Sequence, residues 1–205
     1  MSSFKLEPAD ILINVNDRND PYSIIKRWAL GSPYEHVFMY MGKVGILVNR
    51  QQRKILRFPM LFESNGRGVV IQSLSNRYGQ KVVVMRLKSE HDRRRIPPVL
   101  EEAIKLASVP QAFYDYSVIV WHIIPKLIYQ KLGINPPLRY QRDERMICSE
   151  AVYEVFHRAK LVDILLPYCT PPLPGDFVTD STLLEWKWWG ILSEDLVSLE
   201  GHTKE

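Results

Sequence analysis

Two cysteines, Cys148 and Cys169, are all that 205 residues contain, so no disulfide framework can hold this fold together. Charge of one sign is also scarce. Lys and Arg number 27 against 23 Asp and Glu, a net charge of +4. The densest basic run, Arg93-Arg94-Arg95 near Lys88, reads as a solvated turn before a helix. A nucleic-acid binder would gather its positive charge on a face or tail, so no nucleic-acid partner is expected. Residues 1–10 hold no apolar core of a secretory signal. The longest apolar run, Val118–Ile124, is interrupted by His122 and followed by Pro125. It falls far short of the roughly 20 residues a spanning helix needs. A soluble, cytoplasmic chain is the expectation, with a membrane surface open as a partner. No pair of His or Cys has C-x-x-C, H-x-x-x-H or H-E-x-x-H spacing, and G-x-G-x-x-G, P-loop and G-x-S-x-G sequences are missing. The residues therefore offer no support for a metal site, a nucleotide cofactor or a serine hydrolase, and no cofactor is expected.

What is present suits one globular domain spanning 1–205: 46% apolar and 24% charged residues, with no repeat and no linker-length Pro or Gly tract. The first half reads as β. Ile11, Ile13 and Val15 alternate along one strand, and His36–Met41 form another in which His36, Phe38 and Tyr40 share a face. Gly42-Lys43 suggests a turn into Val44–Val48, and further strands are expected near Leu56–Glu63, Gly68–Leu74 and Lys81–Leu87. A short helix over 22–30 closes at Gly31. The second half reads as helical. Pro97-Pro98 open a helix carrying Leu100, Ala103, Ile104 and Ala107; a second covers about 113–131, and a third about 147–160. In the third, Ile147, Ala151, Val152, Val155, Phe156 and Ala159 form one apolar stripe. Strands first and helices later argue for an α+β domain, an antiparallel sheet or small barrel followed by a helical half.

The chemistry centres on Cys148, at the start of the third helix. A helix N-terminus offers partial positive charge and unpaired N–H groups, which favour thiolate over thiol and can stabilise an oxyanion. Cys148 also sits at the edge of the apolar stripe, so a small buried core residue is the competing reading. A thiolate nucleophile needs a base. Of five histidines, His36 alone combines a rigid strand with a context that could face a helix start, although a packing histidine is the alternative there. Glu63, ending an apolar strand, could orient the imidazole, or could be a charge at a strand end. Glu35 should point to the opposite face from His36.

The order of these segments carries a resemblance. Ser32-Pro-Tyr-Glu-His36-Val-Phe-Met-Tyr-Met-Gly42, then Phe62-Glu63-Ser-Asn-Gly, Tyr114-Asp-Tyr116, Met146-Ile-Cys148-Ser-Glu-Ala-Val152 and Pro174-Gly-Asp-Phe177 resemble the circularly permuted branch of the NlpC/P60 superfamily, to which YiiX/YaeF-like proteins belong. In that branch the histidine strand precedes the cysteine helix. The resemblance covers about residues 8–185 and implies a permuted papain-like fold with Cys148 as nucleophile, His36 as base and Glu63 as third polar residue. It suggests Tyr114 as a pocket-lining residue and 117–145 as a helical insertion. Ala9-Asp10 stands where the family often has Gly-Asp, so the turn before the first strand is expected to differ. The implied activity is hydrolysis of a peptide or amide bond in a small peptide or amino-acid conjugate through a thioester. The alternatives are a lipid acyltransferase or thioesterase using the same pair at a membrane, with Trp186, Trp188 and Trp189 beside Lys187 as the interfacial patch, and a non-catalytic binding module.

Overall fold

The computed structural model describes residues 4–16, 24, 32–49, 54–66, 68–109, 147–165 and 172–197. The helices expected over 22–30 (Ile24 apart) and 113–131, the 117–145 insertion, Tyr114 and Cys169 lie outside them.

Six strands build one antiparallel sheet: β1 Ile11–Val15, β2 Tyr34–Asn49, β3 Lys54–Asn65, β4 Gly68–Ser73, β5 Lys81–Leu87 and β6 Leu184–Ile191. Their order is β4-β3-β2-β1-β5-β6, an open sheet with β4 and β6 at its edges. Helices α1 Glu90–Arg93, α2 Ile96–Ala107, α3 Cys148–Arg158 and α4 Asp176–Thr179 complete the described elements, with short 3-10 turns between them. The mixed α+β class is as expected.

Strand period sorts the side chains into two layers. Ile11, Ile13, Val37, Met39, Phe62, Val83 and Met85 face the helices and pack with the apolar stripe of α3. Leu12, Phe38, Tyr40, Leu61, Val82 and Val84 face the other way, against Leu74, Leu192 and Leu196. In α3, Ala151, Val152, Val155 and Phe156 are wholly buried, as the stripe predicts. Each of the larger ones contributes about 1.5–3 kcal/mol by leaving water. Ser149 Oγ donates to the Pro172 carbonyl at 2.6 Å and ties the start of α3 to the segment leading into α4.

Three expectations need correction. Gly42-Lys43 is no turn: β2 runs through it as one 16-residue strand. Gly42 takes φ +84° at a register shift between Tyr40 and Gly42, a bulge that the missing Cβ permits, since a Cβ there would stand 3.2 Å from Pro8 Cγ. In α2 Ala103 is buried with Val99 and Leu106, and Leu100 and Ala107 pack against the same core, whereas Ile104 is 54% exposed. The third concerns the tryptophans. They lie on β6, a strand that follows the helices and pairs with β5, contrary to a purely helical second half. Trp188 stacks on Phe4 with ring centroids 5.7 Å apart, while Trp186 and Trp189 remain half exposed.

The turn before β1 is built on Ala9 in place of glycine. Ala9 adopts φ +68°, a left-handed conformation costing roughly 1–2 kcal/mol for a residue with a Cβ. The surrounding contacts hold it there. Asp10 is buried, accepts the Glu7 N–H at 2.8 Å and forms a two-pronged pair with Arg86 at 2.7 and 2.8 Å.

Candidate active site

The site forms where a strand ladder stops. The β3–β4 ladder continues to Asn65↔Gly68, but β2–β3 pairing ends at Met39↔Phe62. Past that pair, the start of α3 meets β2. Ile147, the residue before the helix, provides no side-chain cap, so the first N–H groups of α3 are left for other acceptors. The Cys148 sulfur takes two backbone N–H groups, those of Ser149 and Val37. Val37 thus donates to sulfur at the point where β3 no longer runs alongside it.

His36 lies next in the chain and points to the face opposite Val37. Its Nε2 stands 2.8 Å from Glu63 Oε2, and the ring also hydrogen-bonds Cys148. Arg77 Nη2 lies 3.3 Å from the same Nε2. A carboxylate only accepts and a guanidinium only donates, so the shorter contact decides: Nε2 carries the proton and gives it to Glu63. This leaves Nδ1 as the nitrogen for the sulfur.

Glu63 is wholly buried and fully engaged. Arg77 reaches it through Nε at 3.1 Å and Nη2 at 2.6 and 2.8 Å, Asn65 Nδ2 donates at 2.9 Å, and Gln72 Nε2 donates to the same Oε1 as Asn65. Arg77 also lies over the Phe38 ring, 5.7 Å from its centroid. Burial alone would push the Glu63 carboxyl up, but His36, Arg77 and Asn65 together bring it down to about 2. Burial likewise pulls His36 down, and the Cys148 thiolate, followed by Glu63, outweighs it and lifts the imidazole to about 9. Burial raises the Cys148 thiol, while the His36 charge and hydrogen bond and the two backbone N–H groups lower it. Thiolate beside imidazolium is the charge state this environment favours. Cys148 is 5% exposed and the His36 side chain 17%, so the imidazole is the more solvent-reachable partner.

The sequence-predicted residues Cys148, His36 and Glu63 are therefore together. Glu35 turns away and accepts from Asn16 Nδ2 at 3.0 Å. Sequence reasoning misses Arg77, Gln72 and Asn65, the residues that hold Glu63 ionised. Asn65 stands two residues from Glu63 and alternation puts it on the same face, a signal within reach. Arg77 comes from a 3-10 turn, Leu74–Arg77, whose placement no local pattern announces.

No family model matches the chain, and no curated protein matches it. Among solved structures, the crystal structure of metalloprotein YiiX from Escherichia coli O157:H7, DUF1105, aligns with 92% of this chain and 100% of that one, with a TM-score of 0.58 and 16% identity. The chain shares the YiiX fold. Among the described residues no helix is long and apolar enough to cross a membrane.

Proposed function

We propose that the chain is a thiol hydrolase of the permuted papain-like kind, cleaving an amide bond with Cys148 as nucleophile, His36 as acid and base, and Glu63 as orienter. The observation that carries this reading is a buried Cys148 sulfur beside an imidazole whose Nε2 stands 2.8 Å from the buried Glu63 carboxylate, surroundings that favour thiolate and imidazolium. The thiolate attacks the carbonyl carbon, an S–C bond forms, and the carbonyl π pair moves onto oxygen. The uncapped start of α3 offers the Cys148 N–H to that oxyanion. As the C–N bond breaks, His36 gives its proton to the leaving amine. Water then adds to the thioester, neutral His36 takes its proton, and the C–S bond breaks to return thiolate and a carboxylic acid.

YiiX is described as a metalloprotein. The donor set here does not fit a resident cation. Both ring nitrogens of His36 are committed, one to Glu63 and one to sulfur, and the Arg77 guanidinium occupies the Glu63 oxygens. Among the described residues no three His, Cys, Asp or Glu side chains cluster as metal ligands.

The test is alkylation by iodoacetamide at mildly acidic pH. Cys148 should react faster than Cys169 by on the order of tenfold or more, and His36→Ala should abolish the difference. Equal rates would leave a binding module. A second reading, acyl transfer at a lipid surface, is favoured by half-exposed Trp186 and Trp189 flanking Lys187 on edge strand β6. Co-sedimentation with anionic vesicles, lost in Trp186→Ala, would support it.

A further inference from the structure

The two longest strands outrun the sheet. β1 pairs with β2 no further than Met39, and β4 pairs with β3 no further than Met60. From Lys43 to Asn49 and from Lys54 to Pro59, β2 and β3 pair only with each other among the described strands. At about 3.4 Å per residue this ribbon reaches roughly 20 Å past the wider sheet. A two-stranded ribbon lacks a layer in which to bury side chains and is marginal in water. This one carries Val44, Leu56 and Phe58 at 43, 40 and 42% exposure. Val44 is the cross-strand partner of Phe58, and Leu56 stands two residues from Phe58, so the three share one face. Arg57, also exposed, falls on the other face by alternation.

Positive charge is gathered in the same hairpin. Between Glu35 and Glu63 the chain carries Lys43, Arg50, Arg53, Lys54 and Arg57 and no Asp or Glu. The chain as a whole has 27 Lys and Arg against 23 Asp and Glu, so without this segment 22 cations would face 23 acids. The entire basic excess therefore belongs to the segment that projects.

The two properties together select a partner. Basic residues alone would suit any polyanion, nucleic acid included. A phosphate backbone, however, would leave the Val44, Leu56 and Phe58 face in water. A lipid surface takes both, because anionic headgroups attract the cations and the headgroup–acyl boundary receives the apolar side chains. We infer that the β2–β3 ribbon is a docking arm for an anionic lipid surface, with Val44, Leu56 and Phe58 as its inserting face. The arm is a different element from β6 and its tryptophans, and the inference is independent of the chemistry at Cys148.

The test is co-sedimentation of the full chain with phosphatidylcholine vesicles, with and without about 30% phosphatidylserine. Binding should be at least about tenfold stronger on the anionic vesicles and should weaken in about 0.5 M NaCl. Phe58→Ser removes apolar contact at constant charge and should weaken binding about tenfold. Arg57→Gln leaves the apolar face whole and should weaken it about fivefold. Both side chains are exposed, so circular dichroism and the alkylation rate of Cys148 should match wild type; if Phe58→Ser perturbs the circular dichroism, Val44→Ser makes the same comparison. Equal binding to both vesicles overturns the inference. So does anionic-vesicle binding that both ribbon variants leave unmoved and Trp186→Ala removes. Binding that falls in Arg57→Gln but not in Phe58→Ser, and that single-stranded RNA competes away, would assign the ribbon to nucleic acid and overturn the lipid surface. Equal alkylation of Cys148 and Cys169 would sink the hydrolase reading and leave the docking arm standing.

Discussion

Replacing Glu63 by Gln tests whether a buried carboxylate keeps the imidazole charged. The rise of His36 from 6.5 to about 9 is worth roughly 3 kcal/mol in favour of imidazolium. Burial opposes that rise, the Cys148 thiolate is the largest contributor to it, and Glu63 follows. Removing Glu63 takes away one of the two partners that favour the charged ring. The His36 ring is 17% exposed, so solvent screens little of this. The alkaline limb of hydrolysis, where His36 loses the proton destined for the leaving amine, should therefore move down from about 9. Alkylation of Cys148 at neutral pH should slow as the neutral thiol–imidazole pair gains population. The variant also leaves Arg77, 22% exposed, facing a neutral amide, at a cost of about 2–3 kcal/mol in urea denaturation. An alkaline limb that stays at about 9 while stability falls would show that Glu63 braces the fold without charging the histidine, and the reasoning would be wrong.

Other outcomes follow from the same coordinates. The lowered Glu63 contributes stability that is complete above 4.5 and is lost as pH falls through about 2, and urea midpoints should fall over that range. Gly42→Ala should cost about 1–2 kcal/mol by thermal melting, because it places a Cβ at φ +84° against Pro8. Ala9→Gly should be neutral or stabilising by under about 1 kcal/mol, and a loss larger than that would show that the left-handed turn does not strain Ala9. Ser149→Ala should cost about 1–2 kcal/mol in urea by leaving the Pro172 carbonyl without its donor.

Periodicity carried the sequence reading where a single face decides burial. The α3 stripe is such a local pattern, whereas β1 and β5 are buried on both faces and are marked by apolar β-forming runs. The approach of Cys148 to His36 was reached by combining helix-start chemistry with segment order, since 111 intervening residues obey no local rule. Gly42 misled because a glycine that opens a turn and a glycine that bulges a continuous strand have the same conformational need; pairing with β3 settles it, and that pairing is non-local. The β6 strand escaped notice because Trp186, Lys187, Trp188 and Trp189 break strict alternation. The register shift between Val84 and Met85 of the partner strand shows why: one extra residue is accommodated there. Arg77 was invisible for the related reason that its role depends on where a turn leaves its side chain after four strands have assembled.

The donation from Val37 to the sulfur gives Cys148 a duty apart from reactivity. A strand amide that has lost its neighbouring strand finds its acceptor in a side chain from a helix, so sheet and helix are latched through the very atom that would form the covalent intermediate. Acylation of that sulfur would lower its capacity to accept, and the latch would weaken while the acyl group is in place. Trimming the residue to alanine removes the latch altogether, so an inactivated protein made that way is loosened at the joint between its two halves, and serine is the more faithful stand-in.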